Sequence, residues 1–206
     1  MNQRRSIELI DVAQAAFLPA DQLVTAAQQQ ATVASACSPG CNWCCFSKVE
    51  VTVPEAKAVH DQIRARLSES ELCSLSLRLA ETDRRTRCMD KVSRLKSRIP
   101  CPLLCDQGCT VYEVRPIVCR GWNSYDATSC KLAFLGEMHE SWIPINEGQY
   151  TSVKEFSRNL ALSFTGSARD GELFDLTTVL SMSLVSPGLF DRWLVGESVF
   201  VEATAQ

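Results

Sequence analysis

The chain has 206 residues, 46% of them apolar and 22% charged, with a formal charge of −3. That length holds one full hydrophobic core, and the slight negative charge gives no general attraction to nucleic acid or to an anionic membrane. No apolar run reaches the roughly eighteen residues that a spanning helix needs.

The opening stretch, "MNQRRSIELIDVAQAAFLPA", places Arg4 and Arg5 before a partly apolar run that Glu8 and Asp11 interrupt. It reads as an amphipathic helix over residues 6–17 of a cytoplasmic protein, not as an export signal. A second helix follows "LPAD", with Leu23, Val24, Ala27 and Ala31 on one face, and delivers the chain to Cys37. "KVEVTV" predicts a short strand. Pro54 suits a first helical turn, and Ala58, Val59, Ile63 and Leu67 supply that helix's apolar face. "SESE", residues 68–71, has the spacing of a capping box. The long helix after it keeps its apolar steps through Leu72, Leu75, Leu79, Met89, Val92, Leu95 and Ile99, until Pro100 and Pro102 end it. Residues 101–130 predict loops and turns. Helix returns over 153–164 and 172–184, with a short one after "SPG" at Ser186. The expected fold is mainly α: a single domain over 1–206, with a cysteine-rich metal-binding region at 37–130 between N-terminal helices (1–36) and C-terminal helices (131–206).

Eleven cysteines dominate the chemistry. In a reducing compartment, closely spaced thiols point to metal ligation before disulfides. In "CSPGCNWCC", Pro39-Gly40 fits the centre of a type II turn that folds Cys37 toward Cys41, with freed backbone N–H groups available to sulfur. Cys41 and Cys44 share the two-residue spacing that lets both reach one metal. Cys37, Cys41 and Cys44 make a three-ligand cradle. Cys45 diverges from it, since consecutive side chains point apart, and so faces a second metal or stays a free thiol. In "CPLLCDQGCTVYEVRPIVCRGW", Cys101, Cys109 and Cys119 are the natural partners of the first group, with Cys105 a further candidate. Four thiolates on a divalent metal or on a doubly charged cluster core leave about −2, which is costly to bury without cations. Arg115, Arg120 and Lys48 are the candidates to supply them, Pro116 keeping Arg115 out of helix.

"CSPGCNWCC", then "CPLL", then "GCTVYEVRPIVCRGW" resembles the CxxxCxxCC cysteine-cluster proteins of the YkgJ type, described as zinc- or iron-chelating domains. Flagellin lysine N-methylases carry a related cluster. The resemblance spans residues 37–122 and matches Cys37, Cys41, Cys44, Cys45, Cys101, Cys109 and Cys119, together with Tyr112, Arg115, Pro116 and Arg120. It implies a metal centre but names no reaction. The first three cysteines also have the spacing of radical S-adenosylmethionine enzymes, with Trp43 before the third, but the chain lacks the alternating strands and helices of their barrel.

An iron–sulfur cluster, most simply 4Fe-4S, is the preferred cofactor, because the spacing of Cys37, Cys41 and Cys44 suits three thiolates on a cubane. Seven matched thiols exceed the four that one zinc or one fully ligated cubane needs, so two metals, exchanging thiols or a redox pair stay open. Zinc holding an irregular segment together is the structural alternative. A metal-dependent enzyme acting at an open iron, on a protein or small-molecule substrate by analogy with the methylases, is the other. Cys73 and Cys88 read as helix-packing residues, while Cys105 and Cys130 stay open between ligation and packing. His60 and His139 read as surface or satisfied histidines, and Tyr112 as a packed residue. The basic stretch 84–98 lacks stacking aromatics and reads as a solvated face, not a nucleic-acid site.

Overall fold

A computed structural model describes residues 2–38, 40–106, 108–163 and 172–204, with side chains described from residue 15 onward. The described residues are mainly helical, as expected. Helix α1, Asn2–Gln30, is one continuous helix where two were expected, with Pro19 inside it. Proline removes one helical hydrogen bond. Ala16, Phe17 and Ala20 are buried around that position and hold the helix in place across it.

Helices α2 (Val53–Arg66) and α3 (Glu69–Thr86) both open on capping boxes. Thr52 and Ser68 accept the N–H groups of Glu55 and Glu71, whose carboxylates take the Thr52 and Ser68 N–H groups at 2.9 and 2.8 Å. Pro54 lies in the first turn of α2, as expected. The long helix breaks after Thr86. Asp90 caps a new short helix, α4 (Lys91–Lys96), by accepting the Ser93 N–H at 2.7 Å, and Arg98 follows with φ +53°. Apolar periodicity runs through the break because Ile99 still returns to the interior. The later helices are α5 (Ile117–Gly121), α6 (Ala127–Leu135), α7 (Glu147–Ser163), α8 (Leu176–Val185) and α9 (Leu189–Leu194). Residue 164 of the expected 153–164 helix lies outside the described residues.

Two apolar cores share α2. Val59 and Ile63 join Leu75 and Leu79 of α3, Val179 and Leu180 of α8, Phe190 and Trp193 of α9, and Phe200 in the first. Ala58 turns to the second, with Phe17 of α1, Ile117 of α5, and Val153 and Leu160 of α7. The expected strand shrinks to β1 (Glu50–Val51), and β2 (Leu104–Cys105) pairs antiparallel with β3 (Gly108–Cys109). β1 pairs antiparallel with β4 (Phe174–Asp175), and Phe174 also bridges to Thr204. None of the described helices is long and apolar enough to cross a membrane.

Candidate metal centre

The first cysteine segment is set by its turns. Cys41 N–H donates to the Ser38 carbonyl at 3.0 Å, and Gly40 takes φ +90°, the conformation the Pro-Gly pair was expected to need; Pro39 itself lies outside the described residues. Residues Trp43–Phe46 then form a 3-10 turn carrying Cys44 and Cys45. The rings of Trp43 and Phe46 lie 5.4 and 4.6 Å from that of Phe134, which fixes this turn against α6.

The second segment joins the first directly, since Cys101 N–H donates to the Cys45 carbonyl at 2.7 Å. The β2–β3 pairing, with Gly108 at φ +114°, brings Cys109 opposite Leu104. Arg115 is extended, as the following proline requires, and α5 starts beyond it with Cys119. Pro116 offers no side-chain cap. The buried Glu55 takes that role from α2, accepting Ile117 N–H at 3.0 Å while holding Thr52 N–H and hydroxyl at 2.9 and 2.8 Å. Burial raises the Glu55 carboxyl pKa against these hydrogen bonds. At its other end α5 meets α7 so closely that only glycine fits at residue 121: a Cβ there would lie 2.9 Å from Val153 Cγ1.

The thiols sort into an inner and an outer group. Burial pushes Cys119 well above the usual thiol range, and the charges of Cys101, Cys109, Cys45 and Glu55 push it further. Cys101 is pushed up to about 12, first by burial, with Cys109 and Cys45 adding to it while the Leu103 N–H and Arg94 oppose. Cys109 is raised by burial and by Cys45, against the Val111 N–H and Arg115. Cys45, Cys101, Cys109 and Cys119 therefore lie within reach of one another's charge. Cys44 stands between the groups. Its hydrogen bond to Cys45 raises Cys44 and lowers Cys45, and Cys119 and Cys37 also act on Cys44. On the outer side, Cys130 is raised by burial and then by Cys37 and Cys41. The second segment thus gathers on Cys45, with Cys119 also reaching Cys44 of the cradle.

All of the cysteines are free thiols. Among the described residues, no three Cys, His, Asp or Glu side chains stand arranged to hold an ion as they are. The donors nonetheless fit a soft or borderline metal: thiols from separate segments, with backbone N–H groups aimed at the sulfurs of Cys101 and Cys109. Were a metal bound, the inner four would hold it, and Arg115 and Arg94 would offset its thiolate charge.

The expected cations divide. Arg115 reaches Cys109 electrostatically, although its guanidinium lies over the Tyr112 ring at 3.9 Å. Arg120 turns away to α1, pairing with Asp21 at 2.5 Å, lying over Phe17 and donating to the carbonyls of Arg115 and Glu113. Lys48 donates to the Met89 carbonyl and serves Asp175 and Asp90, not the thiols. The cation missed in the sequence is Arg94, only 3% exposed. It donates to the carbonyls of Phe46, Ile99 and Pro100, so one guanidinium ties the residue after Cys45 to the two before Cys101.

Cys73 and Cys88 are exposed and not packed, and Tyr112 is 59% exposed. Cys105 is also exposed, its thiol donating to the Gly108 carbonyl at 3.2 Å. His60 pairs with Asp61, and His139 accepts the Ser141 N–H, so both are satisfied as expected. Much of the basic stretch is paired internally: Arg84 with Glu81, Arg87 with Asp83 and Glu202, and Lys91 with Glu50. Comparison with protein-family models, with curated proteins and with solved structures gives no match in any of the three.

Proposed function

We propose that this chain is a metal-binding protein that holds an iron–sulfur cluster, or a zinc ion, in thiolates drawn from both cysteine segments. The observation that carries the reading is the convergence of Cys45, Cys101, Cys109 and Cys119, residues far apart in sequence whose charges act on one another. Three of these thiols, Cys101, Cys109 and Cys119, have raised pKa values and are poorly placed as free anions, while Cys45 is lowered by its hydrogen bond to Cys44. A metal that displaces their protons removes that penalty. When bound, a cluster supplies one-electron chemistry, whereas zinc supplies cohesion. The zinc reading draws support from Cys101 and Cys109 packing against the first apolar core, where a metal would hold an irregular segment in place.

Anaerobic purification with metal and sulfide analysis tests the proposal. Iron with acid-labile sulfide and a broad visible band supports the cluster, and colourless protein with stoichiometric zinc supports the structural ion. Cys119→Ser and Cys45→Ser should both lose the metal, while Cys73→Ser keeps it. A parent protein free of metal that takes up none on reconstitution overturns the reading.

A further inference from the structure

Two segments that the metal reading leaves unused face each other across a cavity of about 350 Å³. One wall is the end of α4 and carries cations; the other is the turn leaving α6 and carries acids. On the first wall, Arg98 stands at φ +53° directly after the Ser97 cap. A helix ordinarily ends on glycine at that position, because a side chain there costs energy. The guanidinium donates to the Leu135 carbonyl at 2.5 Å and lies 5.5 Å from the centre of the Phe134 ring, and its remaining N–H groups have no protein acceptor. Lys96 is exposed and, among the described residues, has no acid to pair with. On the second wall, Glu137 and Glu140 make no ion pair either, so the cavity keeps two cations and two acids apart. His139 accepts the Ser141 N–H on Nδ1, which leaves the proton of the neutral ring on Nε2 as a further donor. Trp142 lines the same wall, is 72% exposed, and its ring meets no other among the described residues.

We propose that this cavity binds a free amino acid with an apolar or aromatic side chain. Lys96 and Arg98 hold its carboxylate, Glu137 and Glu140 hold its ammonium, and Trp142 with Met138 covers its side chain. The occupant follows from the two signs of charge. A simple anion would meet the two acids and a simple cation the two basic residues, whereas a zwitterion finds an opposite charge on each wall. Size agrees, since about 350 Å³ lies at the small end of small-molecule sites. The uncovered indole supplies apolar area for a side chain at little entropic cost. No thiol takes part, so the site goes beyond the metal-binding reading and stands or falls apart from it.

Calorimetry and tryptophan fluorescence of the full chain, titrated with L-leucine, L-methionine and L-phenylalanine, test the site. At least one of the three should bind saturably and change the emission, and Trp142→Phe should lose that change although Trp43, Trp122 and Trp193 remain. The N-acetyl derivative of that amino acid lacks the ammonium, and its amide lacks the carboxylate. Each should bind about tenfold more weakly or worse. Lys96→Gln and Glu140→Gln should weaken the free amino acid by a similar factor at the parent's melting temperature. Lys96→Gln should also narrow the preference over the amide, and Glu140→Gln the preference over the N-acetyl form. Three results overturn the site: no binding at millimolar concentration, blocked derivatives that bind as tightly as the free amino acid, or a Trp142→Phe protein that keeps the full emission change. Each of them leaves the metal-binding reading untouched.

Discussion

The approach of α5 to α7 makes Gly121→Ala the sharpest test of how the second cysteine segment is positioned. The added Cβ falls 2.9 Å from Val153 Cγ1 and 3.0 Å from its Cβ, well inside the roughly 3.5–4.0 Å of a comfortable carbon contact. Val153 is 1% exposed and β-branched on a helix, where one χ1 rotamer dominates, so it has no other place to go. Either helix must shift. Overpacking of this kind costs about 1–3 kcal/mol. Alanine regains at most about 1 kcal/mol of helix propensity over glycine, and less at the last residue of a helix. A net loss of about 1–2 kcal/mol should appear in urea unfolding as a lower midpoint with an unchanged slope. Val153→Ala removes the nearest clashing atom, Cγ1, and leaves only the Cβ contact at 3.0 Å, so the double variant should lose less than the sum of the single losses, by about 1 kcal/mol. Gly121→Ala as stable as the parent, or a strictly additive double variant, would refute the reasoning.

Arg94→Met leaves the carbonyls of Phe46, Ile99 and Pro100 without their donor and should destabilise the chain by about 2–4 kcal/mol, read by thermal or urea unfolding; an unchanged midpoint would show that water replaces the guanidinium. Glu55 should give a distinctive pH signature. Its carboxyl pKa is raised by burial, so the folded state holds its proton more strongly than the unfolded chain. The stability difference between parent and Glu55→Gln should therefore move against the parent as pH rises from the ordinary glutamate range through the folded value, and a flat difference would contradict it. On the proposed metal-binding reading, Cys109→Ser should carry less metal than the parent, and its melting temperature should respond less to a chelator. Cys105→Ser, whose thiol is exposed, should behave as the parent in both respects. Cys73 and Cys88 are exposed, so a thiol reagent should label them in the native protein before Cys101 and Cys119.

Much of the architecture is written in local chemistry. The SESE box and Pro54 announce α3 and α2 because capping depends only on residues within one turn. The break at Asp90 was hidden because an aspartate inside an amphipathic period reads equally as a cap or as a solvated surface residue. Arg94 was hidden for a related reason: in a run of basic residues nothing marks the one guanidinium that three carbonyls will surround. Cys73 and Cys88 were misread because a cysteine's hydrophobicity says nothing of which helix face it occupies. The partition of the thiols lay beyond the sequence as well. Whether Cys45 or the cradle meets Cys101 depends on one backbone hydrogen bond across the two segments, and Cys130 depends on where α6 folds back. Spacing reveals which sulfurs are available, and tertiary contacts decide their company.

The pairing of Phe174 with both Val51 and Thr204 has a consequence for biosynthesis. Phe200 and Ala203 are among the least accessible side chains of the first core, and ribosomes add residues from the other end. A nascent chain that has exposed all of its cysteines still lacks the segment that closes this core. The thiols of Cys101 and Cys109, which pack on that core, therefore spend the interval of synthesis open to oxidants and to stray ions. Guarding them until translation passes residue 204 becomes a task for the cell.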